Sequence, residues 1–399
     1  MLITIIFLIF LIFAVITFIT MLVNGIRLAV QCVRREDKKP AASRVNTALR
    51  RLGKNMIIFL VVCVLCAGFV WITQITASTP AIRGDNAVAQ LQQVTLNGRS
   101  EWISIRGEDK TNPVLLFLAG GPGGSQMAAV RHDLAELEKH FVVVNWDQAG
   151  SGKSYGAADI KDITVDTYIE DGYALTKYLC EEFGQEKIIL VGESWGSALG
   201  IFLIDRAPEL YHAFIGTGQM VSFLDTEIID YEFAMEIARR SGDTKTVEKL
   251  EANGYPPYFG KDVTWKSATY LNYLSSYMAR NPDIHNGGYN TFRDLFSSEY
   301  GALDKINFFR GIVNTFNSVY PQLYDIDLRR DYPVVKVPVY FFLGRHDVNA
   351  PTSLAEEYFE ILDAPEKEII WFEHSGHSPW INERDRFVEE LLWVLKDKV

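Results

Sequence analysis

Cysteine is scarce in this chain of 399 residues. Only four are present, and three of them (Cys32, Cys63 and Cys66) lie in or beside two long apolar runs near the N-terminus. Cys180 is therefore alone in the rest of the chain, which excludes an internal disulfide there. A segment of that length can bury enough apolar surface to fold without one.

Charge is absent from the start of the chain. No charged side chain occurs between Met1 and Gly25, and the run "LITIIFLIFLIFAVITFITMLV" is long enough to cross a bilayer as a helix. A second uncharged run extends from Asn55 to Thr76. The alternatives are a cleaved signal peptide for the first run and a buried core helix for the second. Because the first run lacks a basic start and a small-residue cleavage site, we expect two transmembrane helices, with the lipid bilayer as their partner.

Basic residues are concentrated between these two runs. Nine Lys and Arg lie there against only Glu36 and Asp37. Short loops rich in Lys and Arg remain on the cytoplasmic side of a membrane. We therefore predict a two-helix anchor at residues 1–76 with a basic cytoplasmic loop at 27–54. The protein would be a multi-pass protein of the cell membrane, and a catalytic domain at residues 77–399 would be extracellular.

The rest of the chain has little positive charge. After residue 76 there are 30 Lys and Arg against 48 Asp and Glu, a net charge of −18. Such a surface repels nucleic acid and anionic lipid headgroups, so we predict neither as a partner. The stretch "GSGKS" at 150–154 resembles the end of a phosphate-binding loop, but Asp147 stands where that motif needs its first glycine. We therefore expect no bound nucleotide, and a tight structural turn at these glycines.

From Val94 onward, apolar strand patterns alternate with helical ones. This alternation predicts an α/β fold, a mostly parallel sheet with helices on both faces. The alternation stops between about residues 221 and 333, where amphipathic segments rich in Tyr and Phe predict an inserted helical cap. Ligands of such sheets bind at the carboxyl ends of the strands, so an insert near that edge is expected to cover the site.

A nucleophile motif follows one of the predicted strands. "GESWG" at 192–196 has the form G-x-S-x-G and lies between the apolar strand "KIILV" and a helix, so Ser194 is the predicted nucleophile. The acid and the histidine should follow in that order. Asp347 lies just beyond a late strand, and His374 and His377 follow the last one. We favour His377 as the base because it lies in a loop from which its ring can reach the serine, whereas His374 ends the strand.

Three motifs together resemble the proline iminopeptidase group of α/β-hydrolases. They are "GGPGG" at 120–124, "NWDQAGSGKS" at 145–154 and "GESWGSALG" at 192–200, and the resemblance covers about residues 94–220 and 333–399. It implies an α/β-hydrolase fold with Ser194 as nucleophile, Asp347 as orienting acid and His377 as base. It also implies that the backbone N–H groups of Gly121 and Trp195 form an oxyanion hole. We expect no metal and no organic cofactor, since His346 and Asp347 are adjacent and do not have helical metal-ligand spacing.

The sequence departs from that group in two places. Ala119 stands where the group has histidine, and the insert contains no W-x-x-W-E stretch, in which the group carries an amine-binding glutamate. Glu227 and Glu232 are the candidate substrate-binding carboxylates. We expect a membrane-anchored serine hydrolase that releases N-terminal residues from short peptides. The alternatives are an esterase or lipid-related hydrolase with the same triad, and an inactive ligand-binding module.

Overall fold

The computed structural model describes residues 2–33 and 42–398. The chain divides into two compact units. One contains Met1–Ala77 together with the short segment Gly301–Leu303, and the other contains Ser78–Tyr300 and Asp304–Val399. The two units are described separately below.

The first unit is built from two long helices, α1 (Leu2–Val33) and α2 (Ala42–Ile75). They pack against each other, with the ring centroids of Phe18 and Phe59 5.6 Å apart. The apolar stretches Ile9–Val30 and Asn46–Ile75 are long enough to cross a membrane, and only 0% and 6% of their most apolar windows are buried. Such exposure argues against a core helix of a soluble protein, although a signal sequence near the N-terminus has the same composition.

Both helices continue beyond the apolar runs that the sequence marks out. Arg27 lies on α1, and Arg50, Arg51 and Lys54 lie on α2, so much of the segment predicted as a loop at 27–54 is helical. The reason is that Ala, Leu, Arg and Lys are strong helix formers, which lets a helix continue after hydrophobicity ends. Residues 34–41, which include four of the predicted loop's basic residues, lie outside the described residues.

The second unit is organised around one eight-stranded sheet. Its strands are β1 (Val88–Leu96), β2 (Arg99–Gly107), β3 (Val114–Leu118), β4 (Val142–Asp147), β5 (Ile188–Glu193), β6 (Tyr211–Thr217), β7 (Val339–Gly344) and β8 (Lys367–Phe372). Their order in space is β1-β2-β4-β3-β5-β6-β7-β8. Strand β2 runs antiparallel to both β1 and β4, and β3 to β8 are parallel. The predicted mostly parallel sheet is confirmed.

Helices lie along the sheet and in one insert. In chain order they are α3 (Met127–Asp133), α4 (Val165–Phe183), α5 (Trp195–Arg206), α6 (Phe223–Ser241), α7 (Thr244–Asn253), α8 (Val263–Met278), α9 (Thr291–Leu295), α10 (Ala302–Arg310), α11 (Phe316–Val319), α12 (Leu328–Asp331), α13 (Thr352–Ile361), α14 (Pro379–Asn382) and α15 (Arg384–Leu395). Helices α6 to α12 all lie between β6 and β7, in the region where the sequence predicts an insert.

Two apolar clusters fill the space above and below the sheet. Every residue of β3 is buried, and its side chains alternate between the two faces. Leu116 belongs to the cluster that includes Leu199 of α5, whereas Phe117 belongs to the cluster that includes Phe387 of α15. Since both faces are covered, the carboxyl ends of the parallel strands are left as the edge at which a site can form.

Candidate active site

Ser194 lies at the sharp turn between β5 and α5. Its backbone has φ 54° and ψ −123°, in the positive-φ region that residues with a side chain rarely adopt, at a cost of about 1–3 kcal/mol. The N–H of Ser194 donates to the carbonyl of Thr217 at 3.0 Å. A Cβ on Gly192 would lie 2.2 Å from the Gly196 oxygen, and one on Gly196 would lie 2.2 Å from the Leu118 oxygen. Both glycines of G-x-S-x-G are therefore required by close backbone packing.

Asp347 and His377 are brought together from the loops after β7 and β8. His377 Nδ1 is 2.9 Å from Asp347 Oδ2. The other carboxylate oxygen accepts the backbone N–H groups of Asn349 at 2.8 Å and Ala350 at 3.0 Å. Because the carboxylate is fixed in this way, it favours the imidazole tautomer that carries its proton on Nδ1 and leaves Nε2 free to accept one.

Two carboxylates determine the charge of this imidazole. Burial lowers the pKa of His377, but the Asp347 carboxylate in contact with it and the nearby Glu193 carboxylate outweigh burial and raise the pKa to about 9. The raised pKa favours the protonated ring in the free protein at neutral pH. A proton must leave it before it can act as a base.

A cavity of about 160 Å³ lies beneath the insert. Ser194 and His377 line it, as do Gly121 and Trp195, while Asp347 lies behind the His377 ring. The remaining lining residues are Met220, Phe223, Asp230, Leu271, Phe316, Tyr320 and Asn349. The volume is below the roughly 300–1,000 Å³ of drug-sized ligand sites, so the cavity suits one small substrate group.

Gly121 and Trp195 have the backbone environment of anion-binding groups. Gly121 has φ 148°, and a Cβ there would lie 2.7 Å from the Gly123 nitrogen, so only glycine fits. Trp195 is the first residue of α5, where a backbone N–H has no intrahelical acceptor and the helix dipole is positive. Both residues line the cavity beside Ser194, where backbone donors suit the stabilisation of a developing negative oxygen.

Two glutamines hold the glycine loop in the absence of a histidine at position 119. The N–H of Gly120 donates to Gln126 Oε1 at 3.0 Å, and Gln148 Nε2 donates to the Ala119 carbonyl at 3.3 Å. The indole of Trp195 in turn donates to Gln148 Oε1 at 2.9 Å. Gln148 therefore joins the glycine loop to the first residue of α5. No sequence pattern indicated these contacts, and the two made by Gln148 join residues that are 29 and 47 positions apart.

Glu193, directly before the serine, is a buried carboxylate with several donors. Ser378 Oγ donates to it at 2.5 Å and Trp380 Nε1 at 2.8 Å, and both follow His377 in the chain. Gln126 and Tyr289 also donate to it. Glu193 therefore connects the serine turn to the histidine loop while adding negative charge beside the imidazole.

The environment of His377 predicts a pH dependence. If His377 is the base, kcat/KM should rise with pH as the ring loses its proton, with a midpoint above the ordinary histidine value of about 6.5. Glu193→Gln removes a charge that raises the pKa of His377, so it should move that midpoint to lower pH. Glu373→Gln, at an exposed glutamate paired with Arg345, is the control and should leave it unchanged. An identical midpoint in the Glu193 variant would contradict this electrostatic role.

The carboxylates of α6 occupy different environments. Glu227 is buried, and the hydroxyls of Ser267 and Tyr324 donate to it at 3.4 Å each. Burial raises the pKa of Glu227 to about 7, although those hydrogen bonds lower it. Glu232 is exposed, accepts the Tyr255 hydroxyl at 2.6 Å and is not among the cavity-lining residues.

Asp230, an acidic residue of the insert that is not one of the two predicted substrate-binding carboxylates, lines the cavity. Its side chain is almost fully buried (1% exposed), and within the described residues its Oδ1 has no hydrogen-bond partner. Burial raises the pKa of Asp230, and the carboxylates of Glu227 and Asp347 raise it further. The unpartnered oxygen lies in the cavity wall and is therefore available to a donor on a bound group.

The "GSGKS" turn contacts the insert. Lys153 Nζ is 2.7 Å from Asp304 Oδ2 of α10 in a buried ion pair, and the Lys153 N–H donates to Asp147 Oδ2 at 2.7 Å. The Thr315 hydroxyl donates to the Gly150 carbonyl at 2.6 Å. Lys153 therefore stabilises the position of the insert through its ion pair with Asp304. In the described parts of the chain, no group of three or more His, Cys, Asp or Glu is arranged to hold a metal ion.

Comparison with known proteins gives consistent matches. Residues 113–383 match the family model described as the α/β hydrolase fold. The chain is 31% identical over 316 residues to the probable aminopeptidase YbaC of Bacillus subtilis strain 168, covering 76% of this chain and 96% of that protein. It is 24% identical over 293 residues to the proline iminopeptidase of Saccharolobus solfataricus, covering 70% and 84%.

A solved structure matches at the level of the fold. The proline iminopeptidase of Mycobacterium smegmatis superposes with a TM-score of 0.55 at 17% identity, over 77% of this chain and 98% of that one. At this identity the superposition bears on the arrangement of strands and helices alone.

Proposed function

The chain belongs to the α/β-hydrolase family, and on that premise we propose that it is a membrane-anchored serine hydrolase of the aminopeptidase type. In this proposal Ser194 is the nucleophile, His377 the general base and Asp347 the group that orients it. The N–H groups of Gly121 and Trp195 hold the oxyanion. The hydrogen bond between His377 and Asp347, and the shared cavity of Ser194 and His377, support these roles.

The reaction would follow from this geometry. The neutral His377 accepts the Ser194 proton as Oγ attacks the scissile carbonyl, and the resulting oxyanion is held by the two backbone N–H groups. The imidazolium then gives its proton to the leaving amine, and an acyl-enzyme remains on Ser194. A water molecule, deprotonated by His377, attacks this ester and releases the first residue of the peptide.

Asp230 is the single observation that favours a free amine as the recognised group. An α-amine has a pKa of about 8, close to neutrality. A neutral amine that enters the cavity can take the proton of Asp230, whose pKa is raised by burial and by neighbouring carboxylates, and the two then form a charge-assisted pair. This pair would satisfy the unpartnered Asp230 oxygen. The relatives named as aminopeptidases support the same substrate class.

An esterase is the second candidate. Met220, Phe223, Leu271 and Phe316 give the cavity an apolar wall that would accept a short acyl group. The same triad cleaves esters, and a membrane anchor would bring such an enzyme close to lipid. A comparison of amide and ester substrates separates the two candidates.

We expect a free α-amine to be required. Acetylation of a prolyl or alanyl arylamide should cost at least ~10² in kcat/KM, because an amide nitrogen cannot take the Asp230 proton, so the charge-assisted contact is lost and the buried carboxyl group keeps no partner. Asp230→Asn should remove most of that preference, whereas Glu232→Gln, at the exposed glutamate of the same helix, should retain it. Equal rates on free and acetylated amides, or activity on a short-chain aryl ester alone, would contradict the aminopeptidase proposal and favour the esterase.

We also propose that α1 and α2 cross the membrane. Their exposed apolar side chains and the basic residues between the two apolar runs support two spans whose connection is cytoplasmic. The catalytic domain at 77–399, with its cap at about 221–333, is then extracellular. Its substrates would be short peptides outside the cell.

A further inference from the structure

Large apolar side chains are exposed on one part of the insert. They are Phe292 (76%), Phe296 (42%), Ile306 (52%), Phe309 (53%) and Ile312 (38%), which we call the apolar surface. Phe292 and Phe296 are one helical turn apart at α9, and Ile306 and Phe309 lie three residues apart on α10. Side chains at these spacings share a helix face. Exposed aromatic groups in this number mark an interaction surface.

The opposite face of α10 is held firmly. Asp304 of this helix makes the buried ion pair with Lys153. Just after the helix, the Gly311 carbonyl packs so closely on the glycine loop that a Cβ on Gly123 would lie 2.3 Å from its oxygen. Because these contacts fix the position of α10, the exposure of its apolar side chains is a consequence of how the helix packs.

The apolar surface lies beside the point where the chain enters the catalytic domain. The N–H of Ser78 donates to the Ser298 carbonyl at 3.0 Å, and the Thr79 hydroxyl donates to Glu299 Oε1 at 3.0 Å. Residues 298 and 299 lie in the connection from α9 to α10. Helix α2 ends at Ile75, and the three residues from there to Ser78 span at most ~11 Å when fully extended.

We propose that the apolar surface inserts into the boundary between headgroups and acyl chains of the bilayer that α2 crosses. This inference rests on the membrane anchoring in the proposed function. The three-residue connection keeps Ser78 within ~11 Å of the end of α2. Hydrogen bonds place the α9–α10 connection beside Ser78. Aromatic and aliphatic side chains with an adjoining basic residue, here the exposed Arg310, are typical of segments that lie in a membrane interface.

The test uses the full chain in phosphatidylcholine liposomes, with the native cysteines replaced by serine. A spin label is placed at Phe309→Cys, and in a second variant at Phe292→Cys. The control is Ile361→Cys, which is 48% exposed at the end of α13. The control site lies at the other end of the sheet from the apolar surface. Tyr300, between α9 and α10, packs with Leu91 of β1, whereas α13 directly precedes β8. Strands β1 and β8 are seven strand spacings apart, which is roughly 34 Å. Arylamide hydrolysis verifies that each variant is folded.

The labels at 309 and 292 should collide readily with oxygen and be protected from a water-soluble nickel complex, and the label at 361 should behave in the opposite way. The inference would be overturned if the labels at 309 and 292 were as accessible to nickel as the control label. If the same chain floated with the liposomes and resisted carbonate extraction, the proposed anchor would stand. A chain that does not float would overturn the anchoring, and the inference with it. Neither outcome bears on the serine chemistry.

Discussion

Ser194→Ala is expected to lower kcat by on the order of 10⁶ in a folded protein. The substitution removes the oxygen that forms the acyl-enzyme, and neither the cavity wall nor the backbone donors can replace it. Because alanine carries a Cβ just as serine does, it meets the same steric restriction at φ 54°, and the turn should persist. The measurement is turnover of the best substrate among the arylamides and the aryl ester, together with labelling by a fluorophosphonate probe.

A matched serine gives the control for this result. Ser276 is exposed on α8, and its hydroxyl donates to the Asn272 carbonyl of its own helix at 2.7 Å. Ser276→Ala should retain both turnover and labelling. Near-normal turnover in Ser194→Ala would remove Ser194 as the nucleophile, and absence of labelling in the unsubstituted protein would favour the inactive ligand-binding module.

His377→Ala should lower kcat by a similar factor, on the order of 10⁶, since removal of the base is about as costly as removal of the nucleophile. His374→Ala should retain most of the turnover. The His374 ring is exposed, stacks on the His285 ring with centroids 4.0 Å apart, and places its Nδ1 3.0 Å from the Asp283 carbonyl. His377, in contrast, lines the cavity and contacts Asp347.

The pair of histidine variants decides between the two candidates. Both substitutions fall in the loop after β8, so a general loss of folding would affect both proteins, and circular dichroism would detect it. Loss of activity in His374→Ala with activity retained in His377→Ala would assign the base to position 374. Because Asp347 contacts His377, that result would also remove Asp347 from the proposed triad.

The strands and the serine turn could be predicted because their signals are local. Continuous apolar runs such as "VLLFL" and "KIILV" can be satisfied only by burial on both faces, and the glycines of "GESWG" are required by contacts within a few residues and with the adjacent strand. The lengths of the two N-terminal helices could not be predicted from the sequence, since basic residues continue a helix as readily as they form a loop.

The substrate-binding carboxylates depended on helix phase, which the sequence left open. Glu227 and Asp230 are three residues apart and share the buried face of α6, whereas Glu232 is five residues from Glu227 and points to solvent. Aromatic residues at 231 and 233 stand on both sides of Glu232, so hydrophobicity alone did not indicate which face is buried. The donors around Glu193 come from residues 126, 289, 378 and 380, and only the folded chain brings them together.

The contacts between the "GSGKS" turn and the insert affect which substrates can reach the site. Lys153 pairs with Asp304 of α10. After that helix, Thr315 donates to the Gly150 carbonyl and Asn314 Nδ2 donates to the Tyr155 hydroxyl at 2.8 Å. These contacts hold α10 and the stretch after it against the loop that follows β4 at the carboxyl edge of the sheet. An insert that is held at several points leaves an opening of constant size above the site. We expect such a cover to admit the end of a flexible peptide and to exclude a folded protein. Under the proposed aminopeptidase function, the enzyme would therefore act on peptides that endopeptidases have already cut.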